Sequence, residues 1–478
     1  MIQKLLALSL FSIISIFTGL MAQEKGYRIE FEISDLPDTA LVLAYYYGES
    51  TYTRDTARTD ARGYAVFSGD ERLPGGVFIL VLSSTKSKLF DFAVYRDQHF
   101  KITTSLADYY RNAIITGDKD NELFFKNMIF NADQNVLAKP HSDIVNDSTL
   151  ADAAREEAIA ALKKINQQVT AFQESVILGD PGSLVAKILS ARKKTEVPDP
   201  PKNEEGKVDS TFQYRYYKSN FWTSFDLTED ALIRLPFPLY QQKTDEFFDR
   251  VVVQHPDSVI KEIDGLIARA KPNTETYKFL TWSLVVKYYS HPVMGFDKVF
   301  IHLYDTYFES GDMDFWVDKG TKANLKDRAD KLRLSLIGMD APDLIMQDVN
   351  LNRTSMHALK NKYTVLYIYD PDCGHCKKET PRLVDFVSNT KLDVQVFSVC
   401  ADTSMTKMKQ YINEMGMGDW VNVNGPRTYV GSYQDLYDAF QTPTLYVLDE
   451  KKKIIAKKLP AENLSDFLEK YDKYKVIK

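Results

Sequence analysis

The stretch Thr364-Val365-Leu366-Tyr367-Ile368-Tyr369-Asp370-Pro371-Asp372-Cys373-Gly374-His375-Cys376-Lys377-Lys378-Glu379-Thr380-Pro381 decides how the C-terminal part of this chain is read. Its first six residues are apolar, β-branched or aromatic, which predicts a buried strand. The residues after Cys373 open a helix. Cys373 therefore falls at a strand-to-helix junction, where the unpaired N–H groups of a first helical turn and the helix dipole favour an anion. A thiolate is such an anion, so the Cys373 thiol is expected to be acidic and nucleophilic. Cys376 lies one turn deeper, close enough to resolve a mixed disulfide formed at Cys373. The structural alternatives are a zinc half-site or two buried thiols. Zinc takes four ligands, and the remaining cysteine of the sequence is Cys400.

Working outward, Val394 to Val399 supplies a second strand and completes a βαβ unit. A helix near Met405–Glu414 follows, then a segment from Trp420 to Tyr433 that reads as an irregular insertion, and a helix within Ser432 to Phe440. Thr444 to Leu448 and Ile454 to Lys457 flank Asp449-Glu450-Lys451-Lys452-Lys453, an antiparallel hairpin. Its lysine run reads as a solvated turn and an exposed edge. A last amphipathic helix carries Leu464, Phe467, Leu468 and Tyr471. Cys400 ends the second strand and reads as a small buried residue.

In this order of elements, with Cys373-Gly374-His375-Cys376, the step Glu379-Thr380-Pro381 and the late Thr442-Pro443-Thr444, residues 336–478 resemble the thioredoxin-like domain of exported bacterial thiol–disulfide oxidoreductases. The resemblance implies a redox-active Cys373–Cys376 disulfide in place of any bound cofactor or metal, with Cys373 attacking and Cys376 resolving. It implies a cis peptide at Thr442-Pro443, setting the Thr442 backbone beside Cys373 where an extended substrate can pair. Glu379 matches a glutamate of the exported reductases that assist cytochrome maturation, and by that match moves a proton to or from Cys376. Gly374-His375 resembles the dipeptide of protein disulfide isomerase, and His375 is expected to favour the thiolate. Asp372 pulls the other way. Lys377 and Lys378 stand near enough in sequence to counter Asp372. Tyr367 occupies the place where thioredoxin buries an aspartate. Peroxiredoxins share the fold, but the threonine of their signature is absent from Asp370-Pro371-Asp372-Cys373.

The rest of the sequence sets the context. Length alone suggests three domains among the 478 residues. Three cysteines in so long a chain exclude a disulfide scaffold, and the net charge of −6, spread without blocks, gives no sign of nucleic acid binding. Lys4, the uncharged run Leu5 to Leu20 and Met21-Ala22-Gln23 read as a signal peptide over 1–22, since the run falls short of the roughly 20 residues that span a bilayer. No cysteine lies there to carry a lipid. The expected location is the periplasm or cell envelope of a Gram-negative bacterium, without a transmembrane segment in the mature chain. The expected partners are protein thiols and disulfides and a membrane or periplasmic electron-donor protein.

Residues 23–105 read as an all-β sandwich, resembling a domain of uncharacterised function found ahead of thioredoxin-like domains. Tyr27 to Ile33 alternates with period two, and Asp60-Ala61-Arg62-Gly63 signals a turn. Residues 106–335 read as an all-α domain. Ala154, Ala158, Ala161, Ile165, Val169, Phe172 and Val176 mark one buried helical stripe. The proline-rich segment 196–206 reads as an exposed loop, and the aromatics Tyr214, Tyr216, Tyr217, Phe221, Trp222 and Phe225 as core. The histidines outside the motif show no metal-ligand spacing. A cell-envelope binding protein with a secondary redox domain is the alternative that these two regions keep open.

Overall fold

The computed structural model describes residues 26–202 and 204–475. The expected signal peptide lies outside the described residues. Two compact units divide the chain. The first comprises 26–196, 222–226 and 230–240; the second comprises the remaining described residues. The central helices contribute to both units and do not gather into one bundle.

The first unit begins with eight strands: β1 (Tyr27–Ile33), β2 (Ala40–Tyr47), β3 (Ser50–Arg58), β4 (Tyr64–Gly69), β5 (Gly76–Leu82), β6 (Ser87–Val94), β7 (His99–Thr104) and β8 (Ile114–Thr116). They form two four-stranded sheets, ordered β4-β1-β7-β8 and β3-β2-β5-β6. The alternation of β1 turns Tyr27, Ile29, Phe31 and Ile33 inward. Phe31 meets Phe90 and Phe92 of the other sheet edge-on, with centroids 6.0 and 5.2 Å apart. At the turn before β4, Gly63 has φ +80°, and a Cβ there would lie 1.9 Å from the Ile33 carbonyl, so only glycine fits.

Two edge strands escaped the sequence reading. β3 is polar and almost wholly exposed, and β8 is three residues long. Backbone pairing with β2 and β7, not side-chain pattern, makes them strands. The β region therefore runs past residue 105 to Thr116.

Three helices complete this unit: α1 (Lys119–Asn146), α2 (Asp152–Gly179) and α3 (Leu184–Ala191). Asn121 ties α1 to β6, accepting the Ala93 N–H and donating to the Ala93 carbonyl, both at 2.8 Å. On α2, Ala158 and Val176 are buried, the positions between them are half-buried and Ala154 is exposed. The stripe is real but shallow, and it includes Phe172, whose ring stacks on Phe130 of α1 with centroids 3.9 Å apart.

The second unit holds α4 (Phe212–Asn220) and, from Gln241 on, α5 (Leu239–Glu246), which continues as a π-helical turn to Val251, then α6 (Pro256–Ala270), α7 (Thr274–Tyr289), α8 (Asp297–Leu303), again with a π-helical extension, and α9 (Lys319–Arg333). α9 was not legible because its apolar stripe is only Leu325, Ala329 and Leu332 among charges. The aromatic cluster divides. Phe221, Trp222 and Phe225 are buried, while no residue of α4 is, and Tyr214 is exposed.

The C-terminal domain follows: β9 (Ile345–Asp348), β10 (Arg353–Ser355), β11 (Tyr363–Tyr369), α10 (Gly374–Asn389), β12 (Val394–Cys400), α11 (Met405–Met415), β13 (Val421–Thr428), α12 (Tyr433–Tyr437), β14 (Thr444–Leu448), β15 (Ile454–Lys457) and α13 (Leu464–Lys475). One sheet carries them in the order β10-β9-β13-β12-β11-β14-β15. β11 is central and buried at all seven residues. β12 runs parallel to it and β14 antiparallel.

Two expectations are corrected here. The supposed insertion after Trp420 contains β13, parallel to β12. Its polar residues disguised it: Asn422 and Asn424 are buried, with Asn422 bonded to Ser398 and to the carbonyls of Met417 and Trp420, and the Asn424 side-chain amide N–H donated to the Asp402 carbonyl. The hairpin lysines are not simply solvated, and β15 is not a bare edge. Lys452 is buried and donates to Thr364, and Lys453 pairs with Asp340. Gly338 and Met339 hydrogen-bond to Ile454, and Met294 takes the Lys457 N–H at 3.2 Å. These segments cover an edge that otherwise templates aggregation.

Lys457 itself is only 5% exposed and is paired with Asp297 of α8. A buried pair deprived of one partner leaves an uncompensated charge. Asp297→Ala is therefore expected to destabilise this unit by about 3–5 kcal/mol. The double variant Asp297→Leu/Lys457→Met should recover most of the loss. Urea titration of the full chain, with the C-terminal transition followed by near-UV circular dichroism, checks both outcomes.

Candidate active site

β11 hands over to α10 through a tight turn. The Asp370 carboxylate accepts the Asp372 N–H at 2.8 Å, and the Asp370 carbonyl accepts the Cys373 N–H at 3.1 Å. Cys373 caps α10: its sulfur accepts the Cys376 N–H at 3.4 Å, the place usually taken by an oxygen of Ser, Thr, Asp or Asn. The Cys373 thiol is half-buried and donates to the Thr442 carbonyl at 3.3 Å. The Thr442–Pro443 peptide is cis. Cys376 is fully buried, and its sulfur accepts the Asp370 N–H at 3.5 Å.

The two thiols are driven apart in acidity. Burial by itself raises Cys373, but the Cys376 and His375 backbone N–H groups, the Cys376 thiol and the Thr442 side chain outweigh it and hold Cys373 below its ordinary value. Burial dominates at Cys376 and pushes its thiol up to about 12. Cys400, buried at the end of β12, is likewise raised, to about 11.

Beneath the pair lies a cluster that sequence reasoning did not assemble. Thr380, one turn after Cys376, is fully buried. Its hydroxyl donates to the Cys376 carbonyl at 2.8 Å and lies 2.8 Å from the hydroxyls of both Tyr367 and Tyr411. Burial raises both tyrosines above their ordinary value, and the neighbouring Cys376 adds to it. The position read as a missing aspartate is thus filled by one member of an uncharged hydroxyl network. Tyr411 comes from α11 and has no sequence signal linking it to the motif.

The other expected site residues are placed as follows. Asp372 is ion-paired at 2.7 Å with Lys407, which also contacts Asp402 at 3.2 Å. That cation, held protonated by Asp372 first and then by Asp402, is the one that counters Asp372, in the place foreseen for Lys377 and Lys378. Gly374 opens α10 with free space around its Cα, so a Cβ would fit. The His375 side chain is exposed and, with Pro443 and Glu379, lines a groove of about 940 Å³. Glu379 accepts the Ala461 N–H at 2.9 Å and pairs with Arg382 at 2.7 Å. Among the described residues no cluster of His, Cys, Asp or Glu has the makings of a metal site.

The acidity difference sets an expected reactivity. A thiol with a lowered pKa carries more thiolate at neutral pH, and its reaction falls only as pH drops through that lowered value. Cys373 of the reduced chain should therefore alkylate with iodoacetamide at neutral pH, with a rate that levels off at a lower pH than the roughly 8.5 of free cysteine. Cys376 should stay unmodified until near its value of about 12. Peptide mass spectrometry after timed labelling reads both.

Residues 337–457 match the AhpC/TSA family, residues 152–332 a domain of unknown function named DUF5106, and residues 27–124 another, DUF4369. The thiol-disulfide oxidoreductase ResA of Bacillus anthracis is 25% identical over 144 residues, which is 30% of this chain and 80% of that protein. A solved domain of a possible thiol-disulfide isomerase from Cytophaga hutchinsonii is 36% identical, covering 30% of this chain and 97% of that one, with a TM-score of 0.28. A thioredoxin-like protein from Bacteroides caccae is 18% identical over 58% of this chain and 98% of its own, with a TM-score of 0.45. With a strand–helix dithiol at its centre, the C-terminal domain belongs to the thioredoxin-like thiol–disulfide oxidoreductases, carried here behind additional N-terminal domains.

Proposed function

We propose that this chain exchanges disulfides with protein substrates in the cell envelope through Cys373 and Cys376. The observation that carries the reading is the asymmetric pair: a half-buried, acidified thiol at the helix N-terminus and a buried, protonated one a turn below. In the reducing direction, the Cys373 thiolate attacks one sulfur of a substrate disulfide. A Cys373–substrate mixed disulfide forms and the second substrate sulfur leaves as a thiolate, which takes up a proton. Cys376 then loses its proton and attacks Cys373, releasing the first substrate sulfur. Two electrons have passed to the substrate, and the chain holds a Cys373–Cys376 disulfide. An external dithiol protein, at the membrane or in the periplasm, restores the reduced pair; the oxidising direction is the reverse sequence.

The proton on Cys376 must leave during resolution. Glu379 is the proposed acceptor by its place one helical turn after Cys376; in the resting structure its carboxylate is held by the Ala461 N–H and Arg382, so it must release one of these to take the proton. Asp372, neutralised by Lys407, leaves the Cys373 thiolate to the local N–H donors, with Gly374-His375 completing the motif. Thr442 and Pro443 offer the backbone against which an extended substrate pairs. Export agrees with the N-terminal sequence, and among the described residues no helix is long and apolar enough to cross a membrane.

Equilibration with glutathione tests the reading. The pair is expected to titrate as a two-electron couple between about −270 and −120 mV. Cys373→Ser should abolish that titration, and Cys376→Ser should trap substrate proteins as mixed disulfides released by dithiothreitol. A chain with no titrating dithiol, or a Cys376→Ser variant that traps nothing while Cys373 alkylates normally, would remove the assignment.

A further inference from the structure

The groove beside the dithiol is not built by the C-terminal domain alone. His375, Phe440, Pro443 and Pro460 line it from the C-terminal domain; Tyr289 at the end of α7 and Val293 and Met294 of the loop between α7 and α8 line it from the helical region. We infer that this loop is the specificity wall of the redox site, and that the groove takes an extended, uncharged polypeptide segment bearing an apolar side chain next to its disulfide cysteine. The inference rests on the exchange reading above and assigns to the helical region a part in choosing the substrate.

The wall is built to stay in place. The His291 ring stacks on Phe296 with centroids 4.7 Å apart and lies 5.2 Å from Tyr288. Burial first, and then Lys287, lowers His291, so it stays neutral within that stack at neutral pH. The His291 Nδ1 accepts the Val293 N–H at 3.3 Å, and Gly295 turns the chain at φ +87°. Met294 is fastened to β15 through the Lys457 N–H, and Asp297 anchors the start of α8 to the Lys457 ammonium. The loop therefore faces the dithiol side of the sheet as a fixed surface.

The chemistry of the lining selects the occupant. Every Asp, Glu, Lys and Arg side chain on the groove is engaged by an opposite charge: Asp297 with Lys457, Asp438 with both Arg328 and Lys458, and Glu379 with Arg382. Burial raises Asp438, yet Arg328 and Lys458 outweigh that and keep it ionised. With its charges mutually satisfied, the groove offers no strong attraction to an ionic ligand. Its exposed lining mixes the apolar Phe440 at 58%, Val293 at 46% and Tyr289 at 39% with the uncharged polar Ser290 and Gln441, with His375, and with Lys458, which is already paired. The three apolar side chains stand on the rim of a groove that is continuous with His375 and Pro443. Its volume of about 940 Å³ is at the upper end of small-molecule sites, roughly 300–1,000 Å³, and accommodates several residues of extended chain.

The test uses the full chain, reduced beforehand, and two peptides with one disulfide each. One peptide has Leu and Phe beside its cysteines, the other Glu and Lys. Loss of chain thiols is followed against peptide concentration, and reaction of the wild-type chain with a small aromatic disulfide reports the dithiol itself. The apolar peptide is expected to reach half-saturation at about tenfold lower concentration than the charged one. Val293→Asp should erase that preference by raising the half-saturating concentration for the apolar peptide, and Val293→Ile should keep it. Equal half-saturation of both peptides in the wild type, or an unchanged preference in Val293→Asp, overturns the inference. So does faster reaction of Val293→Asp with both peptides, which would make the loop a cover over the site. A wild-type chain that fails with the small disulfide as well would instead overturn the exchange function.

Discussion

Everything at the redox centre depends on holding one sulfur at the first turn of α10 in a state close to ionisation. The helix dipole alone does not achieve this. Its effect on a charge at a helix end is about 0.3–1 kcal/mol, less than the 1.36 kcal/mol that moves a pKa by one unit. Half-burial of Cys373 works against it. What tips the balance is a set of aimed donors: the Cys376 and His375 N–H groups and the side chains of Cys376 and Thr442. These exist because the chain leaves β11, turns through Asp370-Pro371-Asp372 and enters α10 with cysteine as the capping residue. Replacing the cap oxygen by sulfur converts a structural device into a reactive one.

The second sulfur is governed by the opposite condition. Cys376 belongs to a buried apolar cluster with Tyr367, Leu383 and Leu445, and burial keeps its proton on. A buried carboxylate at the Tyr367 position would add a desolvated charge to the same space. The hydroxyl network of Tyr367, Thr380 and Tyr411 avoids that cost and still presents polar atoms under the helix turn that carries Cys376. Its position also joins α10 to α11, so the groups that bracket Cys376 are fixed by side-chain hydrogen bonds as well as by the sheet.

The central strand and helix of the C-terminal domain were legible because their signals are local. Seven consecutive apolar or β-branched residues in β11 permit little else, and the motif locates the start of α10. The same holds for β1, whose alternation matches its burial residue by residue. The illegible parts are those whose stability comes from remote partners. β3 is a strand only because β2 pairs with it. β13 hides behind two buried asparagines whose partners are remote, Ser398 for Asn422 and the Asp402 carbonyl for Asn424. Lys452 read as part of a solvated turn, and nothing in the strand Ile454–Lys457 marked Lys457 as buried; only the folded chain supplies Thr364 to the first and Ser335 and Asp297 to the second. At the site, Cys373 and Cys376 announce themselves, whereas Lys407 and Tyr411 arrive from α11 with nothing in their spacing to connect them to the motif.

The buried lysine of β15 shows why the helical region belongs with the redox domain. A lysine taken out of water is costly, and replacing such a pair by apolar residues is often neutral or stabilising, so the pair is weak evidence of selection for stability. It does impose geometry. Lys457 is satisfied only when α8 presents Asp297 and the segment after α9 presents the Ser335 carbonyl, 3.0 Å away. Its own N–H is satisfied only when Met294 lies against the strand. An apolar contact in this place would tolerate sliding, and a charge with one acceptable arrangement does not. The strand that closes the sheet thereby dictates where the α7–α8 loop stands, and the loop in turn gives shape to the groove beside the dithiol.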